Sequence, residues 1–492
     1  MTSPEVRACE DGGRNGNLRA NAWQGGAATL PAMTIIDPAD SLENLRTLCG
    51  GAVVLPGDEG YDAARSGFNL GLDQRPAAVA YPADAGEVAA VVRCARAAGL
   101  RIAPQSTGHN AGPLGDLSDT LLLKTSGLRG VEIDPVRRIA RVGAGCLWED
   151  VVDAAAPHGL YPLHGSAPTV GVVGYSLGGG MGWLARSHGL QANSVTAIEL
   201  VTADGRLVRT DRHNDPELFW ALRGGGGNFG VVTAIEFRLY PVREAYAGML
   251  IWDWTHAERV IAAWTEWTRS APDNVTTSLR IMQLPPLEHI PEPIRGRAIV
   301  MIDGAVTGGD GPEVIAALRA LEPEIDTFGT MPAPALVRLH QDPEEPVPGF
   351  VSDTGLLETL PAAGIEALIK HAGPGSGSPL MLVELRQLGG ALGRVTAGHG
   401  AVAKIDAEFV LFMGAMSLNP EMGATALEHA GRVKEALSPW LSAGHYLNFA
   451  EYAVDTSATH GAFTYRRLRV VKGRLDPENV IRANHAIAPI VE

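Results

Sequence analysis

The sequence predicts an α+β fold, and three observations carry that expectation. Residues 75–240 alternate between short apolar runs with strand character and stretches with helical periodicity. Helices between those strands are too few for a doubly wound sheet, which needs a crossover for each parallel pair. From about Glu244 onward, alternating apolar segments are separated by Pro-rich loops at Leu284–Pro293 and Pro332–Pro348, as suits an antiparallel sheet backed by helices.

Taken in order, Ala78–Tyr81 is an apolar run that stops at Pro82, and Asp84 with Glu87 makes a capping box. The helix it opens buries Val88, Val91, Val92 and Ala95 and ends at Gly99. Leu100–Ala103 reads as a strand, followed by a polar loop from Gln105 to Gly115 and a strand at Leu121–Lys124. A hairpin turns at Asp134–Pro135, and a helix lies near Leu147–Ala156. Ala197–Thr202 and Arg206–Arg209 flank the turn Asp204–Gly205, and Val231, Thr233, Ile235, Phe237 and Leu239 alternate as a strand does. Strands are expected at Arg297–Ile302, Met381–Leu388 and Glu408–Met413. A terminal helix around Tyr465–Lys472 is placed to return to the first domain.

Composition narrows the function. The 492 residues carry 40 basic and 55 acidic side chains, a formal charge of −15 with no basic run, which disfavours a nucleic-acid partner. Cys9, Cys49, Cys94 and Cys146 are widely spaced and contain no CxxC pair, which argues against a zinc knuckle or a disulfide framework and suits a reducing compartment. No apolar run reaches the length of a membrane span, and residues 1–33 lack the apolar core of a signal peptide. The expectation is a cytoplasmic protein with a mobile tail over 1–33 and no membrane partner. Oligomeric state is not legible.

Several motifs compete. Gly174-Tyr175-Ser176-Leu177-Gly178 fits the G-x-S-x-G nucleophile elbow, with Val170–Val173 as its strand, and defines a serine-hydrolase alternative using Ser176. Against it, Gly179, Gly180 and Gly182 would burden the helix that must follow. Gly180–Ala185 with Glu199 loosely matches a dinucleotide fingerprint but follows glycines rather than a strand. Asn274-Val275-Thr276 is formally a glycosylation acceptor. Between Gly165 and Gly182 there are seven glycines, and Gly224–Gly227 adds four in a row. Such loops let backbone amides approach a large anionic ligand, or else form tight turns in a twisted sheet. His109, in the polar loop Gln105-Ser106-Thr107-Gly108-His109-Asn110 directly after a strand, discriminates between these, since it has no core to fill.

Gln105–Asn110, the run Gly165-Ser166-Ala167-Pro168-Thr169-Val170-Gly171-Val172-Val173-Gly174-Tyr175-Ser176-Leu177-Gly178-Gly179-Gly180, the segment Glu217–Thr233, and Tyr446-Leu447-Asn448-Phe449 with Asp476-Pro477-Glu478-Asn479 and Asn484-His485 together resemble the FAD-linked oxidases of the vanillyl-alcohol oxidase type. They are most similar to the berberine-bridge-enzyme-like branch. The resemblance implies a PCMH-type, two-subdomain FAD-binding domain over 34–243, a substrate domain over 244–440, and a segment over 441–492 that returns to the FAD domain. It implies that Ser106, Thr107, Gly108, His109 and Asn110 cradle the pyrophosphate and that His109 is joined covalently to the flavin. Many relatives add a cysteine tether two residues after the glycine matching Gly165; here that residue is Ala167, so a single link is expected. Val170 stands where a small residue leaves room for O2, which implies an oxidase that releases hydrogen peroxide. Gly171 and Gly174 are expected beside the isoalloxazine, Gly230, Val231 and Val232 near the adenine or ring edge, and Asn448 near the flavin.

The implied reaction takes hydride from a C–H of an alcohol, hemiacetal or amine, on a carbohydrate or other small molecule, while a base removes the attached proton. Tyr446 is the candidate base, because the second tyrosine of the Y-x-N-Y pattern is Phe449 here. Glu384 and Arg386 share one strand face and are either catalytic or a structural ion pair. A third possibility is a flavin-binding protein without turnover.

Overall fold

The computed structural model describes residues 45–46, 53–288 and 290–490, so the expected tail over 1–33 and Cys9 and Cys49 lie outside the described residues. Three sheets organise the described residues. In the first, β1 (Val53–Val54), β2 (Ala78–Ala80), β4 (Thr120–Lys124) and β3 (Arg101–Gln105) lie in the order β1-β2-β4-β3, and β4 pairs in parallel with both neighbours. The crossover from β2 to β3 is the helix Ala85–Ala97. The Asp84 carboxylate accepts from the Glu87 amide at 2.9 Å, and Glu87 Oε2 accepts from the Ala83 amide at 2.8 Å, so the capping box closes one residue earlier than its standard form.

The second sheet is antiparallel, ordered β5 (Val131–Asp134), β6 (Ile139–Gly143), β9 (Val231–Arg238), β7 (Val195–Val201) and β8 (Leu207–Asp211). The expected alternation along β9 is only half of what is found. Val232 and Ala234, on its other face, are just 4% exposed, because both sides of this sheet are covered.

The third sheet holds eight antiparallel strands: β10 (Glu244–Asp253), β11 (Val275–Gln283), β12 (Ala298–Val306), β13 (Ile325–Asp326), β14 (Gly329–Pro332), β15 (Phe350–Leu357), β16 (Leu382–Gln387) and β17 (Phe409–Met416). Its order is β13-β10-β12-β11-β16-β17-β15, with β14 on the free part of β10. Trp264, Leu279, Val300, Leu385, Leu411 and Val433 build the core between one face of this sheet and helices including Ala257–Ser270 and Pro420–Leu437. The opposite face, fixed by the two-residue period, presents Ser278, Arg280, Asp303, Glu384, Arg386, Phe412, Phe350 and Ser352. This polar face forms one wall of the candidate site.

After the helix Ala462–Leu475 the chain returns to the first sheet. Ile102 N donates to Val480 O at 2.9 Å and Arg482 N to Ile102 O at 2.8 Å, which places the terminal segment beside β3. The turn is held by a buried pair: Lys472 Nζ lies 2.6 Å from Asp476 Oδ2 and also donates to Asn228 O and Ile481 O.

Two motif readings are corrected here. Val170–Val173 is not a strand, because Gly171 caps a helix over Val172–Gly178 and the whole G-x-S-x-G stretch lies inside it. Gly180–Ala185 neither follows a strand nor opens a long helix.

Candidate functional site

The loop leaving β3 sets the first wall. Gly108 has φ +79, a left-handed conformation, and packs so closely on Gly67 that a Cβ would lie 2.8 Å from the Gly67 Cα. That turn throws His109 inward. Its ring stacks on Phe68 with centroids 3.7 Å apart and planes 17° from parallel, and its Nδ1 lies 2.7 Å from Thr107 Oγ1. Nε2 is buried without a protein partner. Burial pushes the imidazole down to about 4, against a small opposing effect of the Asp342 carboxylate, so the ring is neutral near pH 7.

The second wall is the segment Gly165–Gly180. Gly171 faces Ser106, where a Cβ would meet the hydroxyl at 2.5 Å, and Gly174 faces open space. Ser166 Oγ donates to Asp342 Oδ2 at 2.7 Å, tying this segment to the loop before β15. Val170 is half-buried beside the main core, and Ala167 is buried; neither offers a sulfur. Among the described residues Cys94 and Cys146 are free thiols.

The third wall is Tyr446–Tyr452. Asn110 Nδ2 donates to Leu447 O at 3.0 Å, and Asn448 Nδ2 to Tyr175 O at 2.9 Å. A Cβ on Gly178 would sit 2.3 Å from Asn448 Oδ1, so glycine is what lets this segment approach. Tyr446 is 3% exposed, and its hydroxyl has no hydrogen-bond partner. Burial raises its pKa well above that of a free phenol, with the Arg386 charge opposing.

Glu384 and Arg386 form the ion pair that their shared face allowed. Arg386 Nε donates to Glu384 Oε1 at 2.7 Å, Ser278 Oγ donates to the same oxygen at 2.6 Å, and the guanidinium lies 4.9 Å from the Phe449 ring centroid. The pair belongs to a larger buried network that sequence reasoning missed. His340 Nδ1 lies 2.6 Å from Asp303 Oδ2, which Arg280 Nη2 also approaches at 2.7 Å. Asp303 and Arg280 stood out as lone charges in otherwise apolar strands, and that was the available signal. His340 and Asp342, in a loop, gave none.

Gly230 immediately precedes β9, and Val231 and Val232 open that strand, in the same hydrophobic core as Val172, Val173 and Leu177 of the second wall. A Cβ on Gly230 would be 2.6 Å from Val201 O, and Val231, paired with Val201, has no exposed surface. Ser176 is corrected as a nucleophile: the residue is 1% exposed and its hydroxyl donates to Val172 O at 2.7 Å within the helix. Asn274 Nδ2 donates to Thr307 O and Gly308 O, so the acceptor amide is engaged.

The unpartnered buried atoms fit FAD. His109 Nε2, Asn110 Oδ1, Thr169 Oγ1, Asn448 Oδ1 and Tyr446 Oη come from all three walls, and buried polar atoms are rarely left without a partner. A flat polar group lined by glycine backbone answers these atoms better than a metal does, since no cluster of three or more His, Cys, Asp or Glu side chains suited to a metal occurs among the described residues.

Residues 76–211 match the family model described as an FAD binding domain. The chain is 28% identical over 457 residues to an uncharacterized FAD-linked oxidoreductase of Bacillus subtilis (strain 168), covering 89% of this chain and 98% of that one. It is 29% identical over 464 residues to xylooligosaccharide oxidase of Thermothelomyces thermophilus, covering 86% and 89%. Its fold is similar to that of the solved BBE-like 1 protein of Physcomitrella patens, with a TM-score of 0.80 at 21% identity over 92% of this chain and 100% of that one. The fold and the site thus define an FAD-binding enzyme. The chain carries an FAD binding domain and is similar over most of its length to FAD-linked oxidoreductases.

Proposed function

We propose that this protein is an oxidase that holds FAD through one covalent bond to His109, removes hydride from an alcohol, hemiacetal or amine carbon of a small molecule, and returns the electrons to O2. The observation that carries the reading is His109 itself: a neutral imidazole, fixed by Phe68 and Thr107, whose second nitrogen is buried and unpartnered inside an FAD-binding domain. FAD, when bound, supplies the hydride acceptor and the route to O2.

The chain's own residues supply the rest. Gly171 and Gly178 let the second wall approach Ser106 of the first and Asn448 of the third, and Asn448, with its free Oδ1, would orient the bound ring. Tyr446 holds or takes the substrate proton at its hydroxyl oxygen. Arg386, steadied by Glu384, favours the phenolate that transfer would leave. Burial keeps competing water away from that oxygen. Relatives named for oligosaccharide oxidation support a carbohydrate or similar polyol as the substrate class.

Two measurements test the proposal. Acid-precipitated protein is expected to stay yellow and to lose its colour in His109→Ala. An anaerobic screen of sugars, alcohols and amines is expected to find at least one that bleaches the flavin, with peroxide released on admitting air. A colourless wild-type pellet contradicts the tether, and a flavin reduced by a substrate but not reoxidised by O2 contradicts the oxidase.

A further inference from the structure

A cavity of about 360 Å³ opens beside His109, with Phe350, Ser352 and Glu451 also in its lining. Glu451 is held there rigidly. Asn110, next to His109, donates to Leu447 O, and Gly112 packs so tightly on the third wall that a Cβ would lie 2.1 Å from the Glu451 carbonyl oxygen. Two contacts therefore fix the segment carrying Glu451 against the loop carrying His109.

The carboxylate is unusual for its surroundings. Ser352 Oγ donates to Glu451 Oε2 at 2.8 Å, and no cation pairs with it among the described residues. The neighbouring Asp353, by contrast, receives Lys434 Nζ at 2.8 Å and the Tyr452 hydroxyl at 2.6 Å. A carboxylate largely withdrawn from solvent with no cation beside it is costly and calls for a use. Burial raises this one to about 7, with the Ser352 hydrogen bond partly opposing, which suits a proton acceptor near neutral pH.

We propose that Glu451 is the proton acceptor for formation of the His109 tether, and that the bond forms at Nε2. The inference rests on the covalent link proposed above. Thr107 Oγ1 lies 2.7 Å from Nδ1, while Nε2 is buried without a protein partner; in the tautomer that keeps the proton on Nδ1, Nε2 carries the free lone pair. In the net step a proton leaves the flavin 8α-methyl carbon for the Glu451 carboxylate. The Nε2 lone pair forms the new N–C bond to that carbon, and the imidazole gives up its own proton. The two electrons left on the flavin pass with these two protons to O2, giving hydrogen peroxide.

The test uses the full chain, purified as wild type, Glu451→Gln and Glu451→Asp. Total flavin is compared with the acid-stable share as each protein stands in air with added FAD. Glu451→Gln is expected to bind FAD while its acid-stable share grows on the order of 100-fold more slowly than in wild type, with Glu451→Asp in between. The wild-type rate is expected to rise as pH passes through about 7, as Glu451 ionises with Ser352, His109, Asp353, Tyr452 and Lys434 around it. NMR of the isolated flavin peptide is expected to show the Nε2 isomer. Equal rates in wild type and Glu451→Gln, loss of all FAD binding in both variants, or an Nδ1 link overturns the proposal while leaving the tether standing. A wild type with no acid-stable flavin overturns both.

Discussion

His340 Nδ1 sits 2.6 Å from Asp303 Oδ2, wholly out of solvent, with Glu384 Oε1 at 3.5 Å and Asp342 Oδ1 at 3.9 Å from its other nitrogen. Burial and Arg280 push this imidazole down, but the carboxylates of Asp303, Asp342 and Glu384 outweigh them and raise it to about 9. His340 is therefore charged at neutral pH. Its contact with Arg386 Nη2, 3.1 Å from Nε2, becomes a hydrogen bond only once the imidazole loses its proton.

A group raised in the folded state stabilises fully below its unfolded value, near 6.5, and loses that contribution as pH rises through about 9. Urea midpoints measured between pH 6 and pH 10 are expected to fall by the equivalent of about 3 kcal/mol. In His340→Gln that portion of the slope is expected to vanish. A wild-type profile flat across the window contradicts the ion-pair assignment.

The buried pair Lys472–Asp476 gives a second prediction. Asp476 also accepts the amides of Val480 and Ile481, so removing the lysine strands a carboxylate at the turn that brings the chain back to β3. Lys472→Met is expected to cost about 3–5 kcal/mol, read as a lowered denaturation midpoint. Replacing both residues by apolar side chains is expected to recover part of that loss.

Tyr446→Phe removes the unpartnered hydroxyl while keeping the ring packed 5.0 Å from Phe449. Flavin content and thermal stability are expected to hold, whereas anaerobic flavin reduction by a substrate slows by about 10²-fold or more. Because burial raises the phenol, the residual wild-type rate is expected to climb toward alkaline pH. Unchanged reduction in the variant would assign the proton to another group.

Gly182 admits no side chain. A Cβ there would fall 1.7 Å from the His164 carbonyl oxygen, backbone that has no room to yield. Gly182→Ala is expected to destabilise by about 3 kcal/mol or to prevent folding, seen as a lowered thermal midpoint or loss of soluble protein.

These features differ in how far the sequence revealed them. The helix after Asp84, the hairpin at Asp134–Pro135 and the strands β12, β16 and β17 of the third sheet were legible because capping, turn chemistry and periodicity act within a few residues. Glu384 and Arg386 were legible as neighbours on one face, though not as members of a network, since His340 and Asp303 join them from other parts of the chain. Val170–Val173 misled: its β-branched residues read as a strand, but Gly171 caps a helix there and tertiary packing overrides local preference. Glu451 carried no signal, because its importance comes from facing His109 across 342 positions of sequence, in a cavity no local pattern describes.

The most direct test of the central claim is the mass of the tryptic fragment Ile102–Lys124, which contains His109, from flavin-replete protein. A covalent tether gives a fragment heavier by one FAD less two hydrogens, with fragmentation placing the addition on His109. An unmodified fragment in fully loaded protein would contradict it.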